Sequence, residues 1–222
     1  MDLLERSSAL GELGGLLAAT ATGGRVVLVA GEAGIGKSAL VRQFTEERSA
    51  DAWFLLGACD PLLTPRALGP LHDIARQTGG RLAELLAAGG PREAVFAAFL
   101  DELDQGGRPR VVVVEDAHWA DEATLDLLVF LGRRMERTRA LLLVTYRDDE
   151  VAADHPLRAV DSCHGETGTP EERMRQHHAA RNRSILCQAA VMASPRVSQV
   201  RVASSCPLSL DHNASTGLSP CA

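Results

Sequence analysis

Gly31-Glu32-Ala33-Gly34-Ile35-Gly36-Lys37-Ser38 decides how the rest of this 222-residue chain is read, because it holds the only lysine. All other fixed positive side-chain charge is arginine. The segment fits G-x-x-x-x-G-K-[ST], the Walker A pattern of a phosphate-binding loop. Glycine lets the backbone curl so that successive N–H groups from Gly31, Glu32, Ala33, Gly34, Ile35 and Gly36 point inward at an anion, where a helix begins. Lys37 is a compact ammonium that reaches phosphate oxygens, where the broad planar fork of arginine fits poorly. Ser38 offers a hydroxyl to Mg²⁺, and Ala39 follows it into the helix. These nine residues are the candidate binding residues for the phosphates of a nucleotide.

The flanks supply the context that the loop requires. Arg25-Val26-Val27-Leu28-Val29-Ala30 is a short, nearly continuous apolar run, and residues 38–48 contain helix formers without Gly or Pro. Strand, loop, helix is the expected order.

A second run, Arg110-Val111-Val112-Val113-Val114-Glu115-Asp116, has four consecutive valines. Such a run cannot alternate between core and solvent, so both of its faces are buried, as in the middle of a parallel sheet. Two carboxylates end it, at the end where such strands face a ligand crevice. The reading is a Walker B strand, with one carboxylate for Mg²⁺ and its neighbour to orient or deprotonate the attacking water. The usual order is Asp then Glu. Here it is Glu115 then Asp116, which leaves the division of labour open. Ser38, Glu115 and Asp116 are the candidate metal ligands. The fourth strand in chain order, Ala140-Leu141-Leu142-Leu143-Val144-Thr145, runs into Tyr146 and Arg147. Arg147 is thereby placed at the same sheet edge, where a cation can sense a γ-phosphate; the competing role is a salt bridge to Asp148 or Asp149.

The remaining elements frame these. Residues 3–19 read as an amphipathic helix interrupted by Gly11, Gly14 and Gly15, and Trp53-Phe54-Leu55-Leu56 as a short strand. Helices are expected near 71–77 and 81–87, then from Pro91 with Val95, Phe99 and Leu103 on one face. Asp121 is placed as the cap of a helix packing through Leu125, Leu128 and Val129.

Composition narrows the function classes. An apolar fraction of 45% can build a core, with 4% aromatics making it mostly Leu, Val and Ala. A formal charge of −6 argues against a surface that coats nucleic acid. No amino-terminal basic-plus-apolar signal is present and no apolar run nears the ~18 residues of a membrane span, so a cytoplasmic protein with no membrane partner is expected. A GTPase is disfavoured because its guanine-reading [NT]-K-x-D needs a second lysine.

Taken together, Leu4-Glu5-Arg6, GEAGIGKS, GACDPLLTPRALGPLHDIA, VVVVEDAHWAD and LLLVTYRDDEVAADHPLRAV resemble the AAA-type, STAND-class ATPase domain of large bacterial LuxR-family transcriptional regulators. The resemblance spans roughly residues 2–160. It implies an α/β, three-layer P-loop NTPase fold whose parallel sheet is ordered 5-1-4-3-2, the fourth strand lying between the Walker A and Walker B strands. It implies ATP/ADP with Mg²⁺ as a switch: closed with ADP, competent to self-associate with ATP. Arg147 would be its sensor arginine, and the segment around Arg6 would lie against adenine. Catalysis would rest on Asp116, Glu115 and Arg147.

Residues 1–160 are thus read as an incomplete P-loop core and 161–222 as a tail. There Ser, Arg, His and Cys rise, and four of the five cysteines fall in it. It reads more like an out-of-frame translation of a GC-rich gene than an evolved domain. Residues 197–202 are a poor candidate for the fifth strand. Cys163, His164, His177, His178 and Cys187 match no common zinc spacing. The tail lacks the reader helix of the regulators, so no direct DNA binding is expected. The expected function is an ATP-binding switch and Mg-dependent ATPase. The alternatives are a non-hydrolysing nucleotide-binding remnant and a small-molecule kinase.

Overall fold

Apolar residues on both faces of the central strands dictate a three-layer arrangement, and the computed structural model has it. It describes residues 3–151, 155, 157 and 200–203. The chain begins with α1 (Leu3–Ala19), β1 (Arg25–Ala30), α2 (Lys37–Arg48) and β2 (Trp53–Ala58). It continues through α3 (Gly69–Thr78), α4 (Gly80–Ala87), α5 (Arg92–Leu103) and β3 (Arg110–Glu115) to α6 (Glu122–Gly132) and β4 (Ala140–Tyr146). Strand β5 is Val200–Ala203.

The sheet order is β2-β3-β4-β1-β5. The first four strands are parallel, with Arg25 beside Leu141 in the β1–β4 pair and Arg110 beside Ala140 in the β3–β4 pair. This is the 5-1-4-3-2 order expected, with β4 between the strands that carry the phosphate loop and the acidic pair. One feature departs from an all-parallel sheet. Strand β5 runs antiparallel to β1, with Val27 beside Val202 and Val29 beside Val200. It comes from within the segment read as a tail and overlaps the end of the 197–202 candidate. The remainder of 158–222, including the cysteines and histidines weighed for zinc, lies outside the described residues.

The period-2 pleat sorts the core into two halves. Val27, Val29, Val111, Val113, Leu141 and Leu143 pack under α1 and α2 with Leu13, Leu40 and Phe44. Val26, Leu28, Val112, Val114, Leu142 and Val144 face the other layer, against Leu71, Ile74, Phe99, Leu128 and Leu131. In α6 the packed stripe is Thr124, Leu127, Leu128 and Leu131. Leu125 and Val129, read from sequence as part of that stripe, sit at its margins, only partly buried. Packing in the half-core shared with α3 and α5 decides the buried face, and Asp121 caps the start of the helix, accepting from the amides of Ala123 and Thr124 at 3.0 and 3.1 Å.

Strand β2 forms one margin of the sheet, and α3 blunts it. The Leu56 amide donates to Gln77 Oε1 at 3.1 Å, and Gln77 Nε2 donates back to the Leu56 carbonyl. A Cβ at Gly57 would stand 2.4 Å from the Pro70 carbonyl oxygen, so only glycine admits this approach of helix to strand. No helix among the described residues is long and apolar enough to cross a membrane.

Candidate functional site

Three parallel strands end on one rim, and each delivers a charged group there. From β1 the chain turns through the loop 31–36 into α2. Gly34 and Gly36 take positive φ of 74° and 100°, which an L side chain resists. A Cβ at Gly34 would meet nothing within 4 Å. The loop therefore presents bare backbone to open space, the cradle that a phosphate needs. Ser38 is exposed beside it, with Ala39 half-buried in the first turn of α2.

Lys37 is 8% exposed, folded back under this loop. Its ammonium donates to the Gly31 and Glu32 carbonyls at 2.7 and 2.9 Å. One donor of its three is left for a ligand. Burial holds its pKa below the ordinary lysine value; Asp116 opposes that shift and Arg147 adds to it. These couplings show that the three strand ends lie within electrostatic reach of one another.

Glu115 is the last residue of β3, and its carbonyl accepts from the Cys59 amide at 2.9 Å. Pleat parity puts Glu115 on the face of Val111 and Val113, the side covered by α2. Asp116 breaks the strand in a left-handed conformation, φ 55° and ψ 43°, ahead of a short 3-10 turn at Ala117–Trp119. Its amide donates to Thr145 Oγ1 at 3.0 Å. Thr145 is buried at the end of β4, so the Asp116 backbone is tied to the neighbouring strand.

Arg147 follows β4. It pairs with neither Asp148 nor Asp149 but with Glu150, Nη1 to Oε1 at 2.6 Å. That hydrogen bond is the main reason its pKa is raised. The guanidinium carbon also lies 5.0 Å from the centroid of the Trp119 ring. Arg6, from α1, approaches the loop itself: its Nη2 would be 3.4 Å from a Cβ at Gly36. The Nε of Arg6 is buried without a hydrogen-bond partner among the described residues.

Three contributors escaped the sequence reading. Thr145 passed as the last residue of an apolar strand. His118 and Glu150 were inside quoted motifs but were given no role. The His118 side chain is fully buried, its ring tilted 44° against that of Trp119 with centroids 4.4 Å apart, and its Nε2 lies 3.6 Å from Glu150 Oε2. Burial is the first cause holding its pKa below the ordinary histidine value. The described residues hold no cluster of three or more His, Cys, Asp or Glu side chains arranged for a metal ion.

A family model described as AAA ATPase domain matches residues 2–144. Among solved structures, Cdc6p from Pyrobaculum aerophilum is similar at 20% identity with a TM-score of 0.51. The match covers 72% of this chain and 44% of Cdc6p, so the chain spans less than half of that protein. Drosophila ORC bound to DNA matches at 17% identity over 69% of this chain and 79% of that one, TM-score 0.44. The RuvB Holliday junction branch migration motor of Thermotoga maritima matches at 18% identity over 72% and 43%, TM-score 0.38. Among curated proteins, none matches.

Proposed function

The chain belongs to the AAA ATPase domain family, and from that premise we propose that it is a Mg-dependent ATP switch, binding ATP or ADP in the cleft above the 31–38 loop. The observation that supports this best is the meeting of Lys37, Asp116 and Arg147 from three adjacent strand ends, coupled through space. A lone glycine-rich turn with a stray lysine would not bring the other two.

The roles follow from position. The backbone of residues 31–36 and the Lys37 ammonium hold the β- and γ-phosphates. Ser38 and Glu115, the acid on the α2 face, hold Mg²⁺, which neutralises phosphate charge when bound. Asp116 receives the proton of the water that attacks the γ-phosphorus, as the bond to the ADP oxygen breaks. Its backbone is fixed by Thr145 for that task. Arg147 reads the γ-phosphate. Arg6, touching the loop at Gly36, closes the cleft from the α1 side and places the adenine near the 4–6 segment.

As a switch, the domain fits the ATPase module of a larger cytoplasmic regulator of the LuxR-type STAND class, with the ATP form self-associating. Two measurements test the core of this reading. Calorimetry with ATP·Mg²⁺ should show saturable binding that Lys37→Ala weakens by about 10- to 150-fold. Product analysis should give ADP and phosphate with no acceptor substrate. Binding without phosphate release would leave a nucleotide-binding remnant, and transfer to an added acceptor would make it a kinase.

A further inference from the structure

Glu150 stands between two groups of the rim that belong to different strands. Its Oε1 holds Arg147 at 2.6 Å, and its Oε2 lies 3.6 Å from His118 Nε2. Arg147 arrives from β4 and His118 from the turn after β3. Both ring nitrogens of His118 are buried and lack a hydrogen-bond partner among the described residues. A buried imidazole left this way forfeits a hydrogen bond, a cost that one nearby acceptor could remove. The nearest acidic acceptor is the carboxylate already engaged by Arg147. A movement of about 0.5 Å would bring it within hydrogen-bond range of Nε2–H.

We propose that Glu150 is a latch on Arg147: it holds the arginine against Trp119 until a γ-phosphate draws it away, and His118 then takes over the freed carboxylate. In this scheme Glu150 and His118 are positioning residues that set how strongly the domain prefers ATP to ADP. The chemistry is an exchange of partners. Arg147 trades one anion for another, so its charge is never stranded. Glu150 trades guanidinium for imidazole N–H, and His118 gains a hydrogen-bond partner, which it lacks among the described residues. ADP has no γ-phosphate to start the exchange and leaves the latch shut. The Glu150 carboxylate is 39% exposed, so opening requires no rearrangement of the core.

The inference rests on Arg147 reading the γ-phosphate, and its test separates the two claims. The chain has two tryptophans, Trp53 and Trp119. Trp53 is exposed at the sheet margin, so Trp53→Phe leaves Trp119, in contact with the His118 ring and under Arg147, as sole reporter. In that background, non-hydrolysable AMP-PNP·Mg²⁺ should change Trp119 emission and ADP·Mg²⁺ should not. Calorimetry should show Glu150→Gln raising the AMP-PNP-over-ADP affinity ratio about two- to fivefold, the range for releasing one exposed ion pair. The rise should vanish when Arg147→Ala is added. His118→Phe, which keeps a buried ring, should lower the ratio because the freed carboxylate has nowhere to go.

An unchanged ratio in Glu150→Gln, or an equal rise with Arg147 absent, overturns the latch. So does an equal rise in Asp149→Asn, which would mean simple repulsion between acids and phosphate. An unchanged ratio in His118→Phe overturns the hand-over. If Arg147→Ala alone leaves the ratio unaltered, the sensor assignment itself has failed. If Arg147→Ala lowers the ratio while Glu150→Gln does nothing, the sensor stands and the latch is refuted.

Discussion

The interior of the sheet and its carboxyl rim are built from the same three strands, only two or three residues apart, and they obey opposite rules. Val111–Val114 and Leu141–Val144 are buried on both faces. Beyond them, Lys37 is buried but charged, Asp116 is left-handed, and the His118 ring is enclosed without a hydrogen-bond partner among the described residues. The interior satisfies every local preference, and the rim violates several. The difference teaches where stability and function are stored. Local conflicts that persist in a folded domain concentrate where chemistry is done. Substitutions in the two regions should therefore separate folding from nucleotide handling.

The largest expected effect is in the interior. Leu142 is 0% exposed, in the half-core shared with α5 and α6. Leu142→Ala should cost about 2–5 kcal/mol of stability, from lost transfer energy plus the cavity left behind. Urea unfolding followed by circular dichroism measures it. A loss below about 1 kcal/mol would mean that the sheet centre can collapse around the gap, against its dense packing on both faces.

Lys37→Ala should do the reverse. Losing a charge-assisted contact to phosphate weakens ATP·Mg²⁺ binding by about 1.5–3 kcal/mol. The urea midpoint should hold or rise, because the folded state no longer keeps a desolvated ammonium. Lys37→Arg should also fail to bind, since the wider guanidinium does not fit beneath the loop. ATP affinity equal to the parent in Lys37→Ala would refute the phosphate-loop reading, and a collapsed midpoint would make Lys37 a member of the core.

How much of this division the sequence exposed follows from the range of the forces involved. Four valines in a row and the Ala140–Thr145 run can only be doubly buried strands, so β3 and β4 were legible. The turn from β1 into α2 was legible because its glycines act through neighbouring backbone. Strand β5 is four residues long and lacks a distinctive period, and its pairing with β1 is a contact between residues more than 170 positions apart. Its antiparallel sense could not be read locally. The face that α6 buries is set by packing against distant elements, and its cap Asp121 also accepts from the Leu68 amide across the fold. Arg147 was placed at the correct rim, but its partner Glu150 depends on how the chain turns after β4. Only the pleat distinguishes the face of Glu115 from the break at Asp116.

Cys59 lies on the boundary between the regions and tests it by pH. It is buried beneath the rim, and burial first, then Asp121, Asp116 and Asp60, push its thiol from 9.0 up to about 12. The thiol is neutral when protonated, so the folded state retains a proton that the unfolded chain releases. Below pH 9 this group leaves stability unchanged. Between pH 9 and about 12 it should erode stability by at most about 1.4 kcal/mol per pH unit. Cys59→Ala should flatten that part of the stability–pH curve. Equal slopes in parent and variant, or rapid alkylation of the native protein at pH 8, would show that the thiol is not enclosed.

The smallest effect on stability is expected where the effect on turnover is greatest. Asp116 holds φ at 55°, a conformation that glycine accepts freely and that Asp and Asn tolerate better than other L residues. Asp116→Asn keeps that tolerance and the amide donated to Thr145, so its stability should stay within about 0.5 kcal/mol of the parent. Asp116→Gly relieves the backbone but adds entropy to the unfolded chain, two terms of similar size and opposite sign. It too should stay within about 1 kcal/mol. Both should bind ATP·Mg²⁺ and release no phosphate, since neither can accept the proton of the attacking water. Glu115→Gln should instead weaken the Mg²⁺ dependence of binding while leaving adenine recognition in place. If Asp116→Asn loses Mg²⁺ dependence and Glu115→Gln merely stops turnover, the two carboxylates have exchanged roles. If Asp116→Ala is as stable as Asp116→Gly, the left-handed turn stores no strain, and the contrast between rim and interior would rest on charge alone.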